Sequence, residues 1–183
     1  MKIFLSYCHE NRAEADYIDT AFIKAGYEII RDIRDVTYKS DLPDYCKSIS
    51  QYNAAICLIS DAYLKSRWCM FEIIQLMKEK QFVEKIYPVV MTNAKIFSAD
   101  ERLDYIQYWQ EKYEKLKNKA DGLDLSALSE IALELKLYTY IKNEMGTFTT
   151  TLGNWLLWKY GELKDADFKK LINVMPDSHL KQF

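Results

Sequence analysis

The residues of this chain best suited to chemistry lie at the end of the run Leu58-Ile59-Ser60-Asp61-Ala62-Tyr63-Leu64-Lys65-Ser66-Arg67-Trp68-Cys69-Met70-Phe71-Glu72. An apolar stretch ends in Ser60, a short polar loop follows, and Trp68-Cys69-x-x-Glu72 opens a helical pattern. Trp68 and Glu72 are four residues apart, and on a helix positions i and i+4 share a face. If that face lines a cleft, it sets a carboxylate beside a stacking surface, an arrangement suited to chemistry on a ribose. On spacing alone, a Glu in the first turns of an amphipathic helix reads as a solvated residue favoured by the helix dipole, and Trp68 as a core or edge aromatic.

Other chemistries find less support. The four cysteines are Cys8, Cys46, Cys57 and Cys69, with no C-x-x-C pair, and the two histidines, His9 and His179, sit at opposite ends. Metal sites need clustered ligands, so none is expected. Cys57 reads as a small core hydrophobe. With five Gly in all, and no G-x-G-x-x-G or G-x-x-x-x-G-K-[ST], no glycine loop is available to cradle a phosphate. There is no G-x-S-x-G elbow. A phosphoacceptor site of the receiver type needs acidic groups after the first and third strands. Those places hold Ser6-Tyr7-Cys8 and Ser60.

The elements that must position Glu72 follow from periodicity. Lys2 to Ser6 reads as a buried strand. Asn11 to Ala25 reads as a helix with Ala15, Ile18 and Phe22 on one side, ended by Gly26. Tyr27 to Arg31 is a second strand, and Asp32 to Lys39 a polar loop. Ser40-Asp41-Leu42-Pro43 opens a helix to about Tyr52. Ala54 to Ser60 is an unbroken apolar strand, as expected where both faces are covered. Arg67 to Val83 is a helix and Ile86 to Met91 a fourth strand. Strands alternating with helices imply a parallel sheet with helices on both faces. Ligands in such sheets bind beyond the carboxyl ends of the strands, which selects Tyr7–Asn11, Asp32–Lys39 and Ser60–Trp68.

The second half is helical in pattern. Asp100 to Ala120 and Ser126 to Glu144 read as helices, with a break expected at Gly146 and a further helix from Phe148 to Tyr160. The sequence shows no clear fifth strand, and the polar tail after Gly161 reads as a loosely attached helix. The division is 1–160 as one domain, with core motifs in 1–91 and a helical part in 92–160, followed by a tail over 161–183.

Composition sets the broad class. The chain has 183 residues, 49% hydrophobic and 28% charged, with a formal net charge of −2. That balance suits a single globular domain and gives no field to attract nucleic acid or an anionic membrane. No apolar stretch approaches the roughly 20 residues of a spanning helix. The opening residues turn polar too soon for a signal peptide. A cytoplasmic location is therefore expected, and free thiols agree with it. The 14 Tyr read as residues that cap the core and coat helices, or as a self-association surface.

Three stretches together carry a family resemblance. Ile3-Phe4-Leu5-Ser6-Tyr7 is similar to the first box of Toll/interleukin-1 receptor (TIR) domains. Gly26-Tyr27-Glu28-Ile29-Ile30-Arg31-Asp32 resembles their second strand and the acidic residue after it. Cys57-Leu58-Ile59-Ser60 through Ser66-Arg67-Trp68-Cys69-x-x-Glu72 resembles their most recognisable stretch. The resemblance covers the first half of the chain, to Met91. It departs after Asp32, where the family usually carries a Gly and this chain reads Tyr38-Lys39-Ser40.

The resemblance implies a flavodoxin-like α/β fold, with a central parallel sheet of four or five strands, helices on both faces and extra C-terminal helices. It implies either of two functions. Bacterial and plant members are commonly NAD+ glycohydrolases or cyclases, with a Glu at the position of Glu72 as the catalytic residue. Animal receptor members are mostly adaptors. The enzymatic reading makes NAD+ the substrate, with no cofactor or metal. Its candidate substrate contacts are Ser6, Tyr7 and His9 in the first loop, Asp32, Arg34 and Lys39 in the second, and Trp68 and Cys69 beside Glu72. It expects self-association through TIR–TIR contacts and a downstream effector that senses the nucleotide product. The alternative is an interaction module docking through the Asp32–Ser40 loop. Glu72 is expected on an exposed surface, where substitution costs little stability.

Overall fold

Ala54–Ile59 is the axis of the molecule, and its six residues are all buried. A strand covered on both faces has no polar side to offer, which is why its sequence is continuously apolar. The computed structural model describes residues 1–31, 52–78, 83–123, 129–155 and 157–175. The candidate contacts Asp32, Arg34 and Lys39, all but the last residue of the helix expected from Ser40 to about Tyr52, Cys46 and His179 lie outside the described residues.

The strands are β1 (Lys2–Tyr7), β2 (Glu28–Arg31), β3 (Ala54–Ile59), β4 (Ile86–Val90) and β5 (Trp158–Lys159). They form one parallel sheet in the order β2-β1-β3-β4-β5. This is the doubly wound flavodoxin-like order. The described helices are α1 (Arg12–Lys24), α2 (Asp61–Lys65), α3 (Arg67–Lys78), α4 (Ala99–Ala120), α5 (Ser129–Asn154), α6 (Tyr160–Asp165) and α7 (Lys169–Val174).

Alternate residues of each strand feed two cores. Phe4, Ala55, Cys57 and Ile59 pack with α3, α4 and α5, through Met70, Ile73, Trp109, Ile141 and Met145. Ile3, Leu5, Ile56, Leu58 and Val89 pack with α1, α6 and α7, through Ile18, Phe22, Leu163 and Leu171. The helix stops are local chemistry. Gly26 ends α1 at φ 82°, with its N–H donating to Ile23 O at 2.8 Å and Tyr27 N–H to Phe22 O at 3.0 Å. Ser98 and Glu101 cap α4 reciprocally.

Three expectations need correction. Gly146 does not break a helix: α5 runs through it. A Gly in a helix costs about 1 kcal/mol against Ala, and packing against α4 outweighs that, with Ile106 Cδ1 3.7 Å from where a Cβ would stand. A fifth strand exists, but Trp158–Lys159 is too short to show a period; β4 fixes it, pairing Val89 with Trp158 and Val90 with Lys159. The described part of the segment after Gly161, up to Met175, is not loosely attached. Leu163, Phe168, Leu171 and Met175 are buried against the face that carries Ile3 and Leu5. No described helix is long and apolar enough to cross a membrane.

Candidate active site

The strand order reverses between β1 and β3, so a crevice is expected outside their carboxyl ends. β1 ends there in Ser6 and Tyr7, and β3 is followed by Ser60. Successive residues of a strand point to opposite faces, so Ser6 faces α3 while Tyr7 joins the core under α1. α3 lies across the first of these faces and carries Glu72 in its second turn.

Glu72 is 6% exposed. This corrects the expectation of an exposed carboxylate: Met70, Ile73 and Ile74 around it are buried, so that side of α3 faces the sheet. Ser6 Oγ donates to Glu72 Oε2 at 3.4 Å and lies 2.9 Å from Tyr63 Oη. With the Ser6 proton on the carboxylate, Tyr63 supplies the proton of the second bond. Its hydroxyl is suited to that, because burial, and then the nearby Cys57, Cys69 and Glu72, push its pKa well above the ordinary value. Burial, and then the Glu72 charge, push the Cys57 thiol up to about 12. These neighbours are therefore neutral donors and apolar walls around the Glu72 carboxylate.

A second chain of hydrogen bonds holds Tyr63. Ser60 caps α2 by accepting from Tyr63 N–H at 3.0 Å, and its hydroxyl donates to Asn11 Oδ1 at 2.5 Å. Asn11 closes the short 3₁₀ turn His9–Asn11 after β1. Asn11, Ser60 and Tyr63 did not stand out in the sequence. The one local signal was a Ser at a strand end three residues before an N–H it could cap.

Two cysteines lie at the rim. Cys69 is buried in the first turn of α3, and its thiol approaches the carbonyl of Tyr7 at 3.8 Å. A hydrogen bond shared with the Cys69 side chain is the main reason the Cys8 thiol falls to about 6. The same bond, with burial and the Glu72 charge, raises Cys69 well above the usual thiol range.

The structure thus brings together Ser6, Cys69 and Glu72 from the sequence reading. The Tyr7 ring is turned away, with the Arg31 guanidinium 4.7 Å from its centre and Arg31 Nη2 donating to its hydroxyl at 2.9 Å. Arg31, itself buried, is held by Asp16 and by Asp19 at 3.2 Å. His9 is exposed. Trp68 is 44% exposed, under the Arg67 guanidinium, and lines a groove against α4 and α5. No described group of His, Cys, Asp and Glu could hold a metal ion.

Comparison with known proteins agrees with this architecture. The chain is 22% identical over 125 residues to the TMV resistance protein N of Nicotiana glutinosa, an alignment covering 66% of this chain and 11% of that protein. It is 26% identical over 90 residues to the disease resistance protein RPV1 of Vitis rotundifolia, covering 48% of this chain and 6% of that protein. The chain therefore spans only about a tenth of the length of these relatives. Its fold matches the TIR domains of the activated Roq1 resistosome, which directly recognises the pathogen effector XopQ. The TM-score is 0.62 at 17% identity, covering 94% of this chain and 97% of that one. A model of the TIR domain matches residues 3–120, and the chain belongs to the TIR domain family.

Proposed function

We propose that this chain cleaves NAD+ between nicotinamide and ribose, with Glu72 as the catalytic residue. The observation that carries this reading is the Glu72 carboxylate at the β1/β3 switch point, buried and hydrogen-bonded by Ser6.

One carboxylate suffices for this bond. The nicotinamide ring nitrogen of NAD+ is already positively charged, so the group leaves neutral and needs no general acid. The ribose passes through an oxocarbenium-like state, as in glycoside hydrolysis. Glu72 would hold the ribose hydroxyls and stabilise the developing cation. At 6% exposure little water screens it, so its field acts strongly on the reacting carbon. Ser6 and Tyr63 would fix the carboxylate in place. Attack by water gives ADP-ribose; attack by a ring nitrogen or hydroxyl of the same molecule gives a cyclic product.

In this reading the protein is of the bacterial NAD+-consuming type. It is an immune, anti-phage effector or signal producer of the cytoplasm, activated by self-association, and its product is sensed by a downstream effector. The described cysteines Cys8, Cys57 and Cys69 are all free thiols, as that compartment requires. The resistance proteins among its relatives support a defence role.

The test is nicotinamide release from NAD+ by concentrated protein, with products resolved by mass. Glu72→Gln is the variant of choice, because it keeps the side-chain volume and an acceptor for Ser6. Release that survives Glu72→Gln, or no release in any assembled state, would favour the interaction module.

A further inference from the structure

The α4–α5 hairpin meets α3 along a groove of about 830 Å3 that does not include Glu72. α3 contributes its first turns, α4 its C-terminal half and α5 its N-terminal half. Phe71, Leu116, Leu137 and Tyr138 line it half-buried. At its lip, Trp68 is 44% and Leu133 64% exposed. Large apolar side chains gathered at one concave place mark a contact surface more often than single exposed ones do.

The charge of the groove is opposite to that of the chain. Lys112, Lys115, Lys119 and Lys136 line it. Arg67 also lines it but is neutralised by Glu134. That leaves four lysines against one carboxylate, Glu130, in a chain of net charge −2. Lys115, Lys119 and Lys136 have no ion-pair partner among the described residues. Lys112, Lys115 and Lys119 recur at i, i+3 and i+7, so they form a rail roughly 10 Å long on one side of α4.

The shape selects the occupant. The lining of α5 runs from Glu130 to Tyr140, about 15 Å of helix axis. A small anion needs donors that converge on one point, whereas these lysines are spread along an edge beside an apolar floor. A long apolar trough with a charged rail fits two or three turns of an amphipathic helix. The α3–α5 wall is preformed by two ion pairs, Arg67 with Glu134 and Lys78 with Glu144. All of α5 lies beyond residues 3–120, the part matched by the family.

We propose that this groove docks an acidic amphipathic helix of a partner protein. Apolar side chains at i, i+3 or i+4, and i+7 would fill the floor beside Trp68 and Leu133, with Asp or Glu facing the lysine rail. Trp68 and Phe71 belong to the helix that carries Glu72, so the partner would bind within one turn of the candidate active site. The proposal is independent of the chemistry assigned to Glu72.

The test is selection of displayed 16-residue peptides on the whole chain, with the variant K115E/K119E/K136E as counter-target. All three positions are exposed, so the variant should keep its Tm within about 3 °C. The proposal expects enriched peptides with acidic residues and helically spaced apolar ones. Their binding should fall at least tenfold in the triple variant, fall likewise in Leu133→Ser, and weaken as salt rises. Enrichment of neutral or basic peptides, no enrichment, or binding unchanged in the triple variant would overturn it. So would complete displacement by a simple mononucleotide. A homodimer that the triple variant abolishes would show the occupant to be a second copy, which also overturns it.

Discussion

The switch-point end of the sheet and the α4–α5 hairpin use polar side chains in opposite ways. At the switch point, Ser6, Asn11, Ser60, Tyr63 and Glu72 are buried and share hydrogen bonds across four elements. On the hairpin the charged residues are mostly exposed, and its core contacts are apolar and aromatic, as at Trp109, Ile141 and Met145. A buried polar group depends on its partners, because removing one leaves the other desolvated and unsatisfied. A solvated lysine depends on nothing until a partner arrives. The first region is thus built for fixed geometry, the second as an adaptable face.

The largest effect expected on stability is at the joint between the two regions. Trp109 is fully buried, and its Nε1 donates to Leu64 O of α2 at 3.0 Å. Trp109→Ala should cost about 3–5 kcal/mol by denaturant unfolding, and a cost near zero would mean that the hairpin is not anchored there. Next comes Ser6→Ala, which leaves Glu72 and Tyr63 short of a partner. A loss of about 1–3 kcal/mol is expected; a neutral result would show the switch-point chain to be as independent as a surface residue. A third effect is read by pH. Cys8 should be alkylated with a midpoint near pH 6, the rate rising with pH as the thiolate forms. In Cys69→Ala that hydrogen bond is gone, and the midpoint should move up towards the ordinary thiol range. An unmoved midpoint would remove the Cys8–Cys69 bond from the account. The smallest effect is on the hairpin. Gly146→Ala should raise stability by about 0.5–1 kcal/mol, because its Cβ would make an ordinary contact with Ile106. Destabilisation would show that the two helices pack more tightly there than the 3.7 Å separation suggests.

The frame of the sheet was legible because hydrophobic runs report it directly. β1, β3 and β4 each read as an apolar stretch, and Gly26 marked the end of α1. What failed were elements fixed by tertiary contact. β5 has two residues, α5 tolerates Gly146 because α4 supports it, and α6 and α7 present Leu163, Phe168 and Leu171 among polar neighbours. The Ser98–Glu101 box is visible in the sequence as a Ser three residues before a Glu. In the site, Glu72 and Ser6 were legible as residue types at strand and helix ends. Their joining was not, since Ser6 meets Tyr63 across 57 positions and Ser60 meets Asn11 across 49. Burial of Glu72 was hidden because a charged residue two turns into a helix ordinarily faces water.

The most direct test of the central claim is nicotinamide release from NAD+ by the wild-type chain and by Glu72→Gln, each at high concentration and each shown to be folded. The account predicts release by the wild type and a fall of roughly 100- to 1,000-fold in the variant, the scale of losing one preorganised electrostatic contact. Equal release by both proteins would contradict it.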